Sequence, residues 1–205
     1  MYSLEVKELS KRFGSRQVFA GLSFELQTGR SLAVVGRNGS GKSTLLMLLL
    51  GLHYPSKGEL SFRLDGSVLD DGGIRASTSL VAPYLNLYDQ LTGEENMVFM
   101  ATLSGVNLTG KEIASLLARV GLVGRGDDLV AGYSSGMKQR LKYAVAMIKN
   151  PGYLFLDEPT SNLDADGKKI VRNLIEERRS HSIVVIATNE EEEYSLADDT
   201  LRLDQ

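Results

Sequence analysis

The 205 residues include 23 Lys plus Arg and 26 Asp plus Glu, for a formal net charge of −3, with 42% hydrophobic and 24% charged residues. This is the composition of one globular domain with a real core, and the slight acidic excess excludes a general nucleic-acid coat. There is no cysteine, which removes disulfides, thiolate zinc sites and Cys nucleophiles and fits a reducing compartment.

Met1 to Leu9 alternates apolar and charged residues and lacks a basic stretch followed by an apolar one, so no secretory leader is expected there. Leu4, Val6 and Leu9 predict a first strand. Phe19, Leu22, Phe24 and Leu26 predict a second, interrupted at Gly21. Leu60, Phe62 and Leu64 predict a third that runs into the turn pair Asp65-Gly66. These are half-buried strands of an antiparallel portion. A different kind of strand is predicted at Ser31–Val35 (SLAVV), Tyr153–Leu156 (YLFL) and Ile183–Ala187 (IVVIA). Runs apolar on both faces belong in a parallel sheet covered by helices. The longest apolar run, Leu45 to Leu50 extended by Gly51 and Leu52, is far short of the roughly 18–20 residues a membrane span needs.

Helical patterns lie between the later strands. Thr92 with Glu95 and Thr109 with Glu112 are two capping boxes. The first precedes Met97, Val98 and Met100, and the second precedes Ile113, Leu116, Leu117 and Val120. Met137, Leu141, Ala144, Val145 and Ile148 form another apolar face, stopped by Asn150-Pro151. Ile170, Val171, Leu174 and Ile175 form a fourth. The layout is a β-rich start with a parallel core over residues 1–83, an inserted helical part over 84–150, and the rest of the core over 151–205.

Gly36-Arg37-Asn38-Gly39-Ser40-Gly41-Lys42-Ser43-Thr44 matches G-x-x-x-x-G-K-[ST], between a buried strand and an apolar helix. Glycines let backbone N–H groups approach phosphate oxygens, and the following helix presents its positive end to an anion. Lys42 is expected to reach the β- and γ-phosphates, and Ser43 to hold Mg²⁺ through its hydroxyl. Asp157 and Glu158 follow the apolar run Leu154-Phe155-Leu156. Ligands of open α/β sheets bind at that end of a strand. Asp157 is expected to hold Mg²⁺, and Glu158 to polarise an attacking water.

With these residues and two more segments in view, the chain resembles the nucleotide-binding subunits of ATP-binding-cassette (ABC) transporters. Tyr133-Ser134-Ser135-Gly136-Met137, continuing into Lys138-Gln139-Arg140, is similar to that family's signature loop, and Ser161-Asn162-Leu163-Asp164 to its D-loop. Phe13 stands where the family stacks an aromatic on adenine. The likeness runs from Leu4 to about Leu203. It implies an α/β P-loop NTPase with a RecA-like parallel core, an N-terminal antiparallel β portion and an inserted helical subdomain. It also implies a head-to-tail dimer in which each ATP lies between one subunit's phosphate loop and the other's signature loop. The cofactors implied are ATP and Mg²⁺. The partners implied are a second ATP-binding subunit and an integral membrane permease subunit, with the chain peripheral on the cytoplasmic face and no nucleic acid involved. The compact chain resembles the ATPases of haem-export (cytochrome c maturation) systems.

Three departures bear on turnover. The signature reads YSSGM where the family has LSGGQ. Pro83 or Tyr84 stands where the family places a glutamine, and Asn86 or Gln90 reaches that place only if the loop shifts. Asn189 stands where the family has a histidine near the γ-phosphate. An amide can donate to phosphate but does not titrate. The two histidines, His53 and His181, are expected at the surface. Glu190 to Glu193 reads as a solvated helix start. Tyr84, Leu85, Leu87, Tyr88, Phe99 and Met100 are expected mostly in the core, with some lining a groove for a membrane partner. Two rival readings stand beside the transporter. A soluble ABC-type ATPase of DNA repair or translation usually carries a second cassette or a coiled coil. An ATP-gated clamp would bind nucleotide with little hydrolysis.

Overall fold

The computed structural model describes residues 1–203; the last two residues of the expected third segment, Asp204 and Gln205, lie outside the described residues. In chain order the elements are β1 (Tyr2–Phe13), β2 (Arg16–Gln27), β3 (Ser31–Val35), α1 (Lys42–Leu49), β4 (Lys57–Leu64), β5 (Ser67–Val68), α2 (Asp71–Ser77) and β6 (Thr78–Val81). There follow α3 (Gly93–Leu103), α4 (Gly110–Arg119), a short 3-10 turn at Val130–Gly132 and α5 (Ser135–Met147). The chain ends with β7 (Tyr153–Asp157), α6 (Ala165–Arg179), β8 (Ile183–Thr188), α7 (Glu191–Tyr194) and β9 (Asp199–Arg202).

These strands form two sheets. A four-stranded antiparallel sheet has the order β2-β1-β4-β5, and a five-stranded parallel sheet has the order β6-β7-β8-β3-β9. The all-apolar runs are the inner strands β7, β8 and β3, and every residue in them is buried. Alternation explains why both faces are apolar. Tyr153 and Phe155 of β7, with Ile183 and Val185 of β8, face a core shared with α1 and the antiparallel sheet. Leu154 and Leu156, with Val184 and Ile186, face a second core shared with α3, α4, α5 and α6. The helical segment therefore caps one face of the parallel sheet. Among the described residues no helix is long and apolar enough to cross a membrane.

Both capping boxes form as the sequence predicts, Thr92 with Glu95 and Thr109 with Glu112. Asn150 ends the next helical stretch with φ 48°, just before Pro151. The two sheets are tied by Tyr153, whose hydroxyl accepts from the Arg63 N–H at 3.1 Å and donates to the Ser3 carbonyl at 2.8 Å. Burial pushes that phenol up to about 12. The Tyr2 ring packs edge-on against Tyr153 and sits directly over Gly152, where an added Cβ would lie 2.3 Å from it. Gly152→Ala is therefore expected to lower unfolding stability by about 1–3 kcal/mol through overpacking. Urea unfolding checks this: the midpoint should fall with the slope unchanged.

One group departs from expectation. Tyr84, Tyr88 and Phe99 are 46%, 48% and 37% exposed, not core. Only Leu87 and Met100 of that group pack against the buried cluster. Tyr88 and Phe99 instead pair edge to face at the surface, with ring centroids 4.9 Å apart. His53 and His181 are exposed, as expected.

Candidate nucleotide site

The phosphate loop joins the end of β3 to α1. Gly41 is the residue before α1, at φ 105°, and a Cβ there would lie 2.4 Å from Val18 of β2. Only glycine satisfies both conditions. No side chain caps α1 and no acid occupies its first turn. In contrast, Asp70, Thr92, Thr109, Ser134 and Asp164 each accept a backbone N–H at the start of α2, α3, α4, α5 and α6. The free N–H groups at the start of α1 thus remain for an anion. Ser40 adds a buried hydroxyl without a partner. Lys42 is buried, and its Nζ donates to the Gly36 carbonyl at 2.8 Å and the Arg37 carbonyl at 3.2 Å, so the loop is closed over its own ammonium.

Phe13, Arg16, Val18, Asn38, Gly39, Gly41, Lys42, Ser43, Thr44 and Glu158 line one cavity of about 500 Å³. The Phe13 ring is half exposed at its edge. Lys11 Nζ lies over that ring, 4.7 Å from the centroid, and the His53 ring packs against it edge to face at 5.7 Å. Exposed Arg16 and buried Val18 of β2 are additions that the sequence did not mark.

Asp157 ends β7 almost wholly buried, at 4% exposure. Burial, and next the neighbouring Asp157 carboxylate, push the Tyr84 phenol up to about 12. Of the two candidates for the glutamine position, Tyr84 is thus the one beside the carboxylate. Asn86 and Gln90 are exposed. The loop behind Tyr84 is held from α5. Lys142 Nζ donates to the Ala82 and Pro83 carbonyls at 3.2 and 2.8 Å, and Lys138 pairs with Asp89 at 2.7 Å. These two lysines were not singled out from sequence, since a helix face gives no sign of which loop crosses it.

Glu158 follows at φ 46°, with its N–H on the Ala187 carbonyl at 2.8 Å. Asn189, just past β8, donates from Nδ2 to Oδ1 of Asn38 in the phosphate loop at 3.3 Å. In the signature segment Ser134 caps α5, accepting from the Met137 N–H at 3.2 Å, and Ser134 and Ser135 are exposed. Gly136 lies against the Asn162 carbonyl of the D-loop, which a Cβ would approach to 3.3 Å. Tyr133 turns the other way, with its buried hydroxyl donating to the Arg125 carbonyl. That side chain seats the segment from within the helical part. Ser161 carries a buried hydroxyl without a partner, and Asp164 caps α6 through the Gly167 N–H at 2.8 Å.

A phosphate loop after β3 of a parallel sheet, with a carboxylate pair at the end of β7, separated from β3 by β8, defines an α/β P-loop nucleotide-binding protein. The chain belongs to the ABC transporter family, whose profile matches residues 19–161. It is 32% identical over 200 residues to ABC transporter A family member 8 of Dictyostelium discoideum, a match covering 93% of this chain and 24% of that protein. It is 32% identical over 186 residues to the lantibiotic transport ATP-binding protein SrtF of Streptococcus pyogenes, covering 91% of this chain and 79% of that one. A solved ATP-binding subunit of an ABC transporter superposes with a TM-score of 0.84 at 27% identity, over 97% of this chain and 85% of that one.

Proposed function

We propose that this chain is the motor cassette of an ABC transporter, binding Mg-ATP between two cassettes and hydrolysing it. The carrying observation is that Lys42, Ser43 and Glu158 line one cavity with Phe13 at its edge. The donors available to a metal are the Ser43 hydroxyl and the Asp157 carboxyl, all oxygen, which fits a hard cation held mostly by substrate phosphates and water. Bound there, Mg²⁺ supplies charge neutralisation of the phosphate oxygens. The protein's own groups do the rest. The open N-terminus of α1 and Lys42 fix the phosphates. Glu158 accepts the proton of the attacking water. Asn189, anchored to Asn38, orients a phosphate oxygen by donating an amide hydrogen. The partner cassette supplies the exposed Ser134 and Ser135 hydroxyls, and the N–H groups of its α5 start that Ser134 leaves uncapped, to the same phosphate. Adenine stacks on the half-exposed Phe13 ring. Phe13→Ala is expected to raise the KM for ATP roughly five- to thirtyfold, equivalent to about 1–2 kcal/mol, with kcat little changed.

The membrane partner has a fitting surface. A groove of about 590 Å³ between the two halves is lined by Leu50, Leu80, Met100, Leu103 and Val145, with Arg75 and Lys149 at its basic side. An amphipathic segment of a permease subunit, apolar with an acidic flank, fits this groove, and its docking places the chain peripherally on the cytoplasmic face. The DNA-repair or translation reading finds no support in the named relatives. The haem-export assignment has only the compactness of the chain behind it, and lantibiotic transport belongs to the relative so named. Phosphate release with Mg-ATP tests the enzymatic half. The transporter half is tested by co-purification with an integral membrane protein, and loss of that partner in Leu103→Glu supports it. A chain that hydrolyses ATP yet brings down no membrane protein returns the soluble-ATPase reading.

A further inference from the structure

The run Glu190 to Glu193 reads in sequence as four solvated acids, and the structure departs from that at its last member. Glu191 and Glu192 are exposed, whereas Glu193 is 1% exposed. Its Oε1 accepts from the Thr160 backbone N–H at 2.9 Å and also from the Thr160 hydroxyl. Its Oε2 is buried without a partner. A carboxyl group in the interior is costly unless its oxygens are satisfied, so a fold with no use for it gains from an apolar residue instead.

What Glu193 grips gives it a use. Three consecutive residues after β7 are each tied to a different element. The Glu158 N–H is bound to the Ala187 carbonyl of β8 at 2.8 Å. The Pro159 carbonyl accepts the wholly buried Tyr143 hydroxyl of α5 at 2.9 Å. Thr160 is held by Glu193 of α7. The neighbouring Glu193 also helps hold the Tyr143 phenol protonated, behind the larger effect of its burial. Glu158 itself sits at φ 46°, a left-handed conformation that a non-glycine residue keeps only when its surroundings impose it. The same α7 begins two residues after Asn189, which touches the phosphate loop through Asn38. The D-loop follows on the other side, with the Ser161 N–H on the Glu158 carbonyl at 3.1 Å and the Leu163 N–H on the Thr160 carbonyl at 3.2 Å.

We propose that Glu193 is a positioning residue. Through Thr160 it fixes the Glu158 turn and the D-loop relative to the Asn189 corner, so that the general base and the phosphate-facing amide are held as one unit. Glu193 does not touch nucleotide in this role. The proposal rests on the ATPase reading above, and the experiment separates the two.

The test compares wild type with Glu193→Ala, Glu193→Gln, Thr160→Val and Thr160→Ser. The readouts are kcat and KM for Mg-ATP, the Kd for Mg-ADP, the thermal midpoint, and amide exchange over residues 158–163 without nucleotide. Glu193→Ala and Thr160→Val are expected to lower kcat about tenfold or more while KM and the ADP Kd move less than about threefold. The glutamine and serine variants retain the accepting oxygen and the donating hydroxyl, and are expected to keep kcat within about threefold of wild type. The Glu193→Ala/Thr160→Val double variant should be no slower than the worse single one, as partners in one contact require. Exchange over 158–163 should accelerate in Glu193→Ala. If Glu193→Ala does not fold, the Thr160 pair carries the comparison. An unchanged kcat in Glu193→Ala or Thr160→Val, or parallel losses of kcat and ADP affinity, overturns the proposal. If the wild type itself releases no phosphate, the ATPase reading fails. The exchange data then judge the strap alone: acceleration supports it and unchanged protection overturns it.

Discussion

Glu158→Gln is expected to lower kcat roughly a thousandfold, the scale of losing a general base, while leaving the KM for ATP nearly unchanged. The substitution keeps the shape of the side chain. The turn is held by backbone and neighbouring groups, since the Glu158 N–H bonds to Ala187 and the Pro159 carbonyl to Tyr143. What disappears is an oxygen able to take a proton from water. The nucleotide cavity, lined by Lys42 and Ser43, should therefore fill normally, and the protein should accumulate with ATP bound. Single-turnover phosphate release on the purified variant checks this. Turnover within about threefold of wild type would remove Glu158 from the base role.

Lys42→Ala is expected to act on binding. Its ammonium holds the Gly36 and Arg37 carbonyls, keeping the loop in its closed curve, and Lys42 lines the cavity proposed for the nucleotide. Loss of a charge-assisted contact costs about 2–3 kcal/mol, or roughly thirty- to 150-fold in Kd. The two carbonyls released from the buried ammonium add to the loss. Calorimetric titration with ATP and ADP measures it, and ATP should suffer more than ADP if the ammonium reaches the terminal phosphates as proposed.

Much of this architecture is written in the local pattern. Strands β3, β7 and β8 are legible because each is buried on both faces, which leaves the sequence apolar at every position. The capping boxes at Thr92 and Thr109 are legible because the chemistry that starts a helix is confined to four consecutive residues. Strands β6 (TSLV) and β9 (DTLR) are not legible. They lie at the two edges of the parallel sheet, where pairing on one side suffices and polar residues are tolerated. The surface position of Tyr84, Tyr88 and Phe99 was hidden for another reason. An aromatic residue with a hydroxyl or a neighbouring ring is stable at an edge, and its residue type does not reveal which choice the fold made.

The site divides along the same line. The phosphate loop, Asp157 and Glu158 form contiguous motifs next to recognisable strands, so their neighbourhood follows from the parallel sheet. Contacts made across the fold are invisible in one dimension. Nothing in the run Glu190 to Glu193 says which carboxyl turns inward to Thr160. Nothing in α5 says that Lys142 reaches the carbonyls before Tyr84. Tyr133 shows the converse case. It stands inside the signature segment, yet the local turn points its ring into the helical part, where it bonds to Arg125.

The central claim is that one chain holds half of each ATP site and a second cassette completes it. Sedimentation of Glu158→Gln without nucleotide, with ADP and with ATP tests that claim most directly. The expected result is a monomer in the first two conditions and a dimer with ATP, reverting to monomer when Ser134→Arg blocks the signature face. A protein that binds ATP at one equivalent per chain and stays monomeric at every concentration tested would contradict it.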